Sequence, residues 1–276
     1  MARATVPGRL NWQVATLATA KVETATAKTL VLDVPDWPGH LAGQHVDVKL
    51  TAEDGYSAQR SYSIASAPDG ARLELTVQRL ADGEVSPYLT EVMEPGDAME
   101  LRGPIGYWFV WDPRSTAPVL LVAGGSGVVP LMAMIRAHAA AESKVPLRLI
   151  YSVRTPADAI YADELTQRSV ASPLEVTYLY TRAPAASTRA PAASTGAPAA
   201  STRAPAAPDP TASGPIRERA SRINADIIAE AAWPPDAKPA VFICGPSGFV
   251  EAASDLLVAV GHDPAQVKTE RFGPTS

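Results

Sequence analysis

The first third of the chain consists of short runs in which apolar residues are continuous or alternate with polar ones, separated by turn-forming pairs such as Pro38-Gly39 and Asp82-Gly83. The runs are Trp12–Val22, Thr29–Val34, Gln44–Leu50, Arg60–Ala65, Leu73–Leu80 and Ala98–Leu101. Short strands at this regular spacing predict a small antiparallel β barrel. A lone helix is predicted over Ser86–Met93, with Ser86 as its N-cap.

Beyond residue 114 the pattern changes to apolar strands alternating with amphipathic helices. The predicted strands are Val119–Ala123, Leu147–Val153, Leu174–Tyr180, Ala240–Cys244 and Val267–Glu270. The predicted helices are Val128–Ala141, Ala157–Arg168, Ile223–Ala232 and Phe249–Val260. This alternation indicates a mostly parallel sheet covered on both faces. We therefore expect an antiparallel barrel domain over residues 1–114 and a Rossmann-like α/β domain over residues 115–276.

A low-complexity insert interrupts the second domain at about residues 182–214. The heptad Thr-Arg-Ala-Pro-Ala-Ala-Ser starts at Thr181 and recurs from Thr188, Thr195 and Thr202, with Gly196 in place of arginine in the third copy and Pro208 in place of serine in the fourth. A proline in every repeat excludes a continuous helix and therefore a coiled coil. The composition predicts a flexible, partly extended surface excursion.

Charge and cysteine content narrow the function classes. A net charge of −5 argues against general nucleic-acid binding, which depends on Lys and Arg neutralising phosphates. The single cysteine, Cys244, allows neither an internal disulfide nor a conventional iron–sulfur cluster, and we predict no metal site. No apolar run approaches the roughly 20 residues that span a bilayer, and Met1–Asn11 lacks the apolar core of a secretory signal. We expect a cytoplasmic protein without a membrane partner.

Two segments of the barrel carry residue types that suit a flavin nucleotide. In Arg60-Ser61-Tyr62-Ser63, a guanidinium can pair with a pyrophosphate, an aromatic ring can stack on an isoalloxazine, and a hydroxyl can bind near its reactive nitrogen. On residue types alone, an ordinary strand with an exposed arginine fits as well. The segment Gly83–Ser86 precedes the predicted helix, where backbone N–H groups favour an anion, although a turn and a cap also explain it.

Three further segments lie in the second domain. A glycine turn, Gly125–Pro130, links a strand to a helix as in dinucleotide-binding folds, but Pro130 stands in place of the last glycine. Cys244-Gly245-Pro246 ends another strand, where either ligand proximity or plain packing of a small residue is consistent with the sequence. The tail Glu270–Pro274 contains an aromatic residue that would normally be a packing anchor or disordered.

Taken together, these segments resemble the ferredoxin–NADP reductase superfamily, particularly its bacterial oxygenase-reductase and flavohaemoglobin-reductase branches. The resemblance covers the chain except the insert, and the motifs follow the family's order. They are Arg-x-Tyr-Ser at Arg60–Ser63, Gly-x-x-Ser at Gly83–Ser86, Gly-Pro-x-Gly at Gly103–Gly106, Gly-x-Gly-x-x-Pro at Gly125–Pro130, Cys-Gly-Pro at Cys244–Pro246 and Glu-x-Phe-Gly at Glu270–Gly273.

The resemblance implies a flavin-dependent NAD(P)H oxidoreductase. FAD would bind the barrel, the reduced nicotinamide would enter between Cys244 and the flavin, and hydride would pass to flavin N5. Electrons would then leave to an external one-electron acceptor such as a ferredoxin or an oxygenase component, because the chain has neither a fused iron–sulfur domain nor a globin. A flavin reductase that releases reduced flavin, or a non-catalytic flavin electron-transfer subunit, remain alternatives.

The same resemblance assigns residues to roles. Phe272 would cover the flavin until nicotinamide displaces it, and Glu270 would orient the nicotinamide or tune charge beside it. The implied catalytic residues are Ser63, Cys244, Glu270 and Phe272. The implied cofactor-binding residues are Arg60, Ser61, Tyr62, Ser63, Val77, Gly83, Val85, Ser86, Gly125, Ser126, Gly127, Pro130, Val153, Arg154, Thr181, Arg182, Gly245 and Pro246.

NADPH is the expected reductant, with NADH as the alternative. In this family a Ser/Thr-Arg pair near the end of the third strand favours a 2′-phosphate, and Thr181-Arg182 is such a pair. Arg154 follows the second strand, where an ordinary NAD site would have an acidic residue. However, Thr181-Arg182 is also the start of the first heptad, so the match could be coincidental.

Overall fold

The computed structural model describes residues 10–68, 72–182 and 215–273. Its first half is a six-stranded antiparallel sheet in the order β4-β3-β6-β1-β2-β5. The strands are β1 (Gln13–Thr24), β2 (Ala27–Asp33), β3 (His45–Thr51), β4 (Ser57–Ser63), β5 (Arg72–Gln78) and β6 (Ala98–Ile105). A bridge between Ile64, just after β4, and Leu75 of β5 brings the two outer strands together. The sheet therefore closes as the predicted barrel around an apolar core.

The predicted helix of the barrel is a short π-helical turn, Tyr88–Val92. The prediction that Ser86 is its N-cap is wrong, because the cap position is Pro87 and no side chain caps the turn. The hydroxyl of Ser86 instead accepts the backbone N–H of Leu80 at 3.0 Å, which ties the loop after β5 to the start of the turn.

The second half is a parallel sheet in the order β10-β9-β8-β7-β11-β12. Its strands are β7 (Val119–Gly124), β8 (Leu147–Val153), β9 (Leu174–Tyr180), β10 (Ile216–Arg219), β11 (Ala240–Pro246) and β12 (Val267–Phe272). Its helices are α1 (Val128–Ala140), α2 (Ala162–Ala171), α3 (Ala225–Ala231) and α4 (Ser247–Ala259). Along β7, Leu121 and Ala123 join a core with α1 and α2, whereas Leu120 and Val122 join a core with α3 and α4. Helices thus cover both faces, as predicted.

Two elements differ from the prediction. Strand β10, which follows the heptad region and pairs in parallel with β9, was not foreseen. The helix predicted over Ala157–Arg168 is divided into a 3-10 turn, Pro156–Asp158, and α2, because Tyr161 adopts a left-handed conformation with φ of 63°. The heptad insert itself lies outside the described residues, apart from its first two, Thr181 and Arg182.

Polar and apolar contacts join the barrel to the parallel sheet. Ala42 and Ala65 of the barrel belong to the same apolar cluster as α1 and α2. Arg136 of α1 donates to the carbonyl of Ala65 at 2.9 Å and contacts Glu74 of β5 at 2.6 Å. The barrel therefore presents β5 and the segment after β4 to the helical layer. In the parts of the chain that the structure describes, no helix is both long and apolar enough to cross a membrane.

Candidate active site

The Arg-x-Tyr-Ser motif occupies the last four residues of β4, so alternate side chains point to opposite faces of the barrel wall. Arg60 is exposed and forms an ion pair with Glu84 at 2.8 Å, while the hydroxyl of Tyr56 donates to the same carboxylate at 2.5 Å. The hydrogen bond from Tyr56 and, to a smaller extent, the contact with Arg60 hold the pKa of the exposed Glu84 carboxyl below its ordinary value. Because Glu84 belongs to the Gly-x-x-Ser motif, the structure brings the two flavin motifs together.

The remaining residues of the motif have different surroundings. The Ser61 hydroxyl donates to Asp47 at 2.6 Å, and Asp47 is paired with Arg102 at 2.9 Å, so Ser61 serves the barrel wall. Tyr62 is half-buried against the barrel core, and burial raises the pKa of its phenol to about 12, with Arg60 opposing the shift. Ser63 is half-buried at the end of β4, opposite His45 of β3.

Two predicted flavin contacts lie inside the barrel. Val77 and Val85 are at most 1% exposed and belong to its apolar core, so their side chains do not face a ligand. Any contact of these residues with a nucleotide would be through the backbone. Gly83 is tightly placed, because a Cβ there would lie 2.8 Å from the hydroxyl oxygen of Ser86. The turn Gly83–Ser86 is therefore compact.

In the second domain, the glycine turn after β7 packs against the Cys-Gly-Pro turn after β11. A Cβ on Gly127 would overlap the carbonyl of Cys244, and one on Gly245 would contact the ring of Phe249 at 2.8 Å. Gly125, in contrast, has a φ of +55° and open space where a Cβ would stand. Gly127 is thus required for packing, and Gly125 is a half-buried turn residue whose backbone has open space beside it just before α1. Ser126 is half-exposed beside it, and Pro130 is buried in α1.

The predicted 2′-phosphate residues are adjacent. The N–H of Thr181 donates to the carbonyl of Val153, and the N–H of Arg182 donates to the carbonyl of Arg154, each at 2.9 Å. Val153 is buried, whereas Arg154 and Arg182 are exposed at the carboxyl ends of β8 and β9. The fold therefore places two guanidinium-bearing residues side by side at the edge of the sheet where nucleotides bind in α/β folds.

Cys244 and Glu270 are register partners on β11 and β12. Cys244 is 1% exposed, and burial, reinforced by the charge of Glu270, raises its pKa well above the ordinary value. The thiol is therefore protonated and unreactive at neutral pH. Of the two alternatives that the sequence left open, the structure shows the packing, since Cys244 is buried in the apolar core, and the proximity of Cys244 to a ligand stays a prediction.

A residue that the sequence did not single out completes the site. Nδ1 of His45, on β3, lies 3.6 Å from Oε1 of Glu270, on β12. Burial lowers the pKa of His45, with Asp47 opposing, and raises the pKa of Glu270 to about 7. The position of His45 directly opposite Ser63 could have been found only from the strand register.

Phe272, the last residue of β12, pairs with Pro246 and is 37% exposed. Neighbouring contacts thus link five residues across the boundary between the barrel and the parallel sheet, which we call the seam. In spatial order these residues are Ser63, His45, Glu270, Cys244 and Gly127. Arg60 and Glu84 extend the site along β4 in one direction. In the opposite direction, along the parallel sheet, Arg154 follows β8 and Arg182 follows β9, which are the second and third strands from β11.

This residue set fits a flavin dinucleotide in the barrel and a nicotinamide dinucleotide on the sheet. Arg60 is an exposed cation whose partner, Glu84, is also exposed and so can be exchanged for a phosphate. Oε2 of Glu270 is buried without a hydrogen-bond partner, so the seam contains a polar atom that a bound carboxamide could satisfy.

Comparison with protein families matches residues 15–110 to an oxidoreductase FAD-binding domain and residues 121–255 to an oxidoreductase NAD-binding domain. Ferredoxin–NADP reductase B of Sorangium cellulosum is 45% identical over 125 residues, which are 45% of this chain and 50% of that protein. A glycine betaine monooxygenase reductase subunit of Chromohalobacter salexigens is 30% identical over 234 residues, covering 84% of this chain and 56% of that protein. The chain spans about half the length of these curated relatives.

Solved structures share the fold. The flavohaem-like FAD/NAD-binding domain of nitric oxide dioxygenase from Vibrio cholerae superposes with a TM-score of 0.76 at 22% identity, covering 95% of this chain and 99% of that one. A ferredoxin NADP+ reductase from Neisseria gonorrhoeae with bound FAD and NADP superposes with a TM-score of 0.70 at 20% identity, covering 94% and 98%.

Proposed function

Because the chain belongs to the ferredoxin–NADP reductase superfamily of FAD- and NAD-binding oxidoreductases, we propose that it oxidises NADPH through FAD and passes the electrons to an external acceptor. The observation that carries this proposal is the seam itself. His45 of β3, which is paired with Ser63 of the flavin motif, contacts Glu270 there, and Glu270 is in register with Cys244 of the Cys-Gly-Pro motif.

When bound, FAD would supply the redox chemistry, namely uptake of a hydride (two electrons and one proton) from the reduced nicotinamide and release of single electrons to the acceptor. The chain's own residues bind and align the two nucleotides. Arg60 and the backbone of Gly83–Ser86 would hold the flavin pyrophosphate, with Tyr62 and Ser63 beside the ring system. The backbone at Gly125 would hold the nicotinamide pyrophosphate at the N-terminus of α1. We assign the flavin domain to residues 1–114 and the nucleotide domain to 115–276, which the family matches support by ending at 110 and beginning at 121.

NADPH is proposed over NADH because Arg154 and Arg182 present two adjacent cations and no acidic residue ends β8. A guanidinium suits a 2′-phosphate, whereas a ribose hydroxyl is usually bound by a carboxylate at this point of the fold. NADH is the weaker candidate on the same grounds.

The electron acceptor is proposed to be a ferredoxin or an oxygenase component. The relatives named above are a ferredoxin reductase and a monooxygenase reductase subunit, and a third, from Pseudomonas putida, is the electron transfer component of toluate 1,2-dioxygenase. A cytoplasmic location stays a prediction from the sequence, which fractionation of the producing cells would test.

Identification of the bound flavin tests the proposal. The purified protein should be yellow and release FAD on denaturation, and it should oxidise NADPH in the presence of an artificial acceptor. A protein that binds flavin only weakly and turns it over as a substrate would be a flavin reductase. A protein that holds FAD but oxidises neither nucleotide would be an electron-transfer subunit.

A further inference from the structure

The contact between His45 and Glu270 joins the two domains at the point where the expected reaction takes place. We propose that the imidazole of His45 donates its N–H to Glu270 and stabilises the carboxylate, so that His45 sets the charge that Glu270 presents at the nicotinamide position. His45 is thus a positioning residue that acts through Glu270. This inference rests on the proposed function, because it assumes that nicotinamide binds beside Glu270.

The geometry restrains both partners. Each side chain is about one quarter exposed, at 25% for His45 and 26% for Glu270, and each extends from a regular strand. The register places Ser63 opposite His45 and Cys244 opposite Glu270. At 3.6 Å, Nδ1 and Oε1 are slightly beyond hydrogen-bond distance, so a small side-chain movement closes the contact.

The other charged groups nearby are already engaged. On β3, Asp47 is paired with Arg102 and accepts from Ser61. On β12, the ammonium of Lys268 donates to the carbonyl of Val110, and Arg271 contacts Thr269. On β11, burial keeps the Cys244 thiol protonated. Among the ion pairs of the described residues, Glu270 takes part in one, with His45.

The charge states at neutral pH follow from burial. Because burial raises the pKa of Glu270 to about 7 and lowers the pKa of His45, the carboxyl loses its proton near neutrality while the imidazole is uncharged. The imidazole N–H can then donate to the carboxylate and stabilise it. A nicotinamide ring becomes cationic when it gives up hydride, so an adjacent carboxylate favours that step. The rate of flavin reduction should therefore rise with pH through the pKa of Glu270 and level off above it.

Stopped-flow reduction of the FAD-loaded protein by NADPH, without oxygen and between about pH 5.5 and 8.5, tests this coupling. The wild type should show a rate that rises with a midpoint near pH 7. Glu270→Gln should flatten the profile. His45→Leu removes the donor, so the midpoint should move upward by about one pH unit. His262→Leu, at a buried histidine of the loop after α4, is the matched control and should leave the midpoint in place. An unmoved midpoint in His45→Leu would overturn the proposal.

Nitrogen NMR of histidine-labelled, FAD-loaded protein gives a reading that does not depend on turnover. Deprotonation of Glu270 should favour the His45 tautomer that carries its hydrogen on Nδ1, so the ring-nitrogen shifts of wild-type His45 should show a step near pH 7 that is absent in Glu270→Gln. An unchanged His45 titration in Glu270→Gln would refute the pair even if hydride transfer is intact. Failure of the proposed function looks different, because NADPH would then leave the wild-type flavin oxidised at every pH while the NMR coupling persists.

Discussion

The guanidinium of Arg60 lies 2.8 Å from the carboxylate of Glu84, so the cation of one flavin motif is paired with the anion of the other. Both side chains are about half exposed, at 54% and 48%, and water screens their attraction. Because Glu84 already occupies the guanidinium, a pyrophosphate that binds Arg60 has to displace Glu84, and the screening makes this displacement easier. The same pair holds the guanidinium near the turn Gly83–Ser86, where the backbone N–H groups would complete the phosphate site.

Two substitutions at this pair should change FAD affinity in opposite directions. Arg60→Gln removes a charge-assisted contact worth about 1.5–3 kcal/mol and should raise the Kd of FAD roughly 10- to 150-fold. Glu84→Gln removes the competing carboxylate and should lower the Kd. Titration of the apoprotein with FAD, followed by flavin fluorescence, measures both values.

Arg72→Gln is the matched control for Arg60, since Arg72 is also an exposed strand arginine paired with a carboxylate, Asp33, at 3.3 Å. It should leave the Kd unchanged. An equal effect of Arg60→Gln and Arg72→Gln would show that Arg60 does not bind the pyrophosphate.

Arg182→Ala should weaken the use of NADPH and leave the use of NADH nearly intact. Losing a charge-assisted contact to phosphate costs about 1.5–3 kcal/mol, which is roughly 10- to 150-fold in kcat/KM. Arg154→Ala should act in the same direction, because a backbone hydrogen bond of 2.9 Å places Arg154 next to Arg182, so that both guanidinium groups belong to the same candidate phosphate site. Steady-state kinetics with both nucleotides provides the measurement.

The heptad repeat supplies the controls for Arg182. Arg189 and Arg203 occupy the equivalent position in later copies, so their replacement by alanine should have negligible effects. If all three variants behave alike, Arg182 is an ordinary repeat residue and the preference for NADPH loses its main support.

Replacing residues 183–214 with a flexible linker should leave the melting temperature and NADPH oxidation nearly unchanged, since loop length costs little closure entropy and Pro/Ala/Ser tracts do not form a core. Ile216 pairs with Val176 near the start of β9, whereas Arg182 lies six residues beyond Val176. The connection must return about 20 Å, so roughly ten Gly and Ser residues are needed. Calorimetry and flavin content measure the outcome, and a large loss of either would mean that the repeat stabilises the domain.

Arg136 connects the barrel to the helical layer, and Arg136→Leu should destabilise the protein. Its guanidinium is 14% exposed and contacts Glu74 of the barrel and Glu164 of α2, each at 2.6 Å. Removing it leaves the partly buried Glu74 without its cation and Glu164 with Arg168 alone, at a cost of about 2–4 kcal/mol in the free energy of unfolding. Urea titration followed by tryptophan fluorescence measures this change.

Arg168→Leu is the comparison for Arg136, because Arg168 contacts the same Glu164 at 2.7 Å but is more exposed, at 27%, and has no contact with the barrel among its ion pairs in the described residues. An i,i+4 pair of this kind contributes under about 1 kcal/mol. Equal destabilisation by the two variants would contradict the assignment of Arg136 as the connection between the domains.

The fold could be predicted largely from the sequence, because apolar periodicity determines which residues can be buried together. The strands Leu147–Val153 and Leu174–Tyr180 were predicted with the bounds that the structure has. Strand β10 was missed because Ile-Arg-Glu-Arg has a single apolar residue and so shows no strand pattern. The segment is a strand because its backbone pairs with β9. The break at Tyr161 was missed because a left-handed conformation is rare for a bulky residue, and here the tyrosine hydroxyl is bonded to Thr76 in the barrel.

The candidate site was predictable where local motifs carry it and unpredictable where distant residues meet. Arg60, Gly125 and Cys244 were predicted as site residues from the motifs in their own segments together with the family resemblance. His45 could not, because its proximity to Glu270 depends on the registers of two sheets and on the way that they pack. The same holds for the pairing of Arg60 with Glu84, whose consequence for flavin affinity appears only in three dimensions.

Anaerobic titration of the FAD-loaded protein with NADPH, followed by its absorption spectrum, tests the central claim most directly. The flavin motif and the nucleotide motifs meet at His45 and Glu270, so hydride should cross the seam within one molecule. The visible flavin absorption should be lost with about one equivalent of NADPH per FAD and return when an oxidant is admitted. A protein that holds FAD and keeps its oxidised spectrum with excess NADPH and excess NADH would contradict the account.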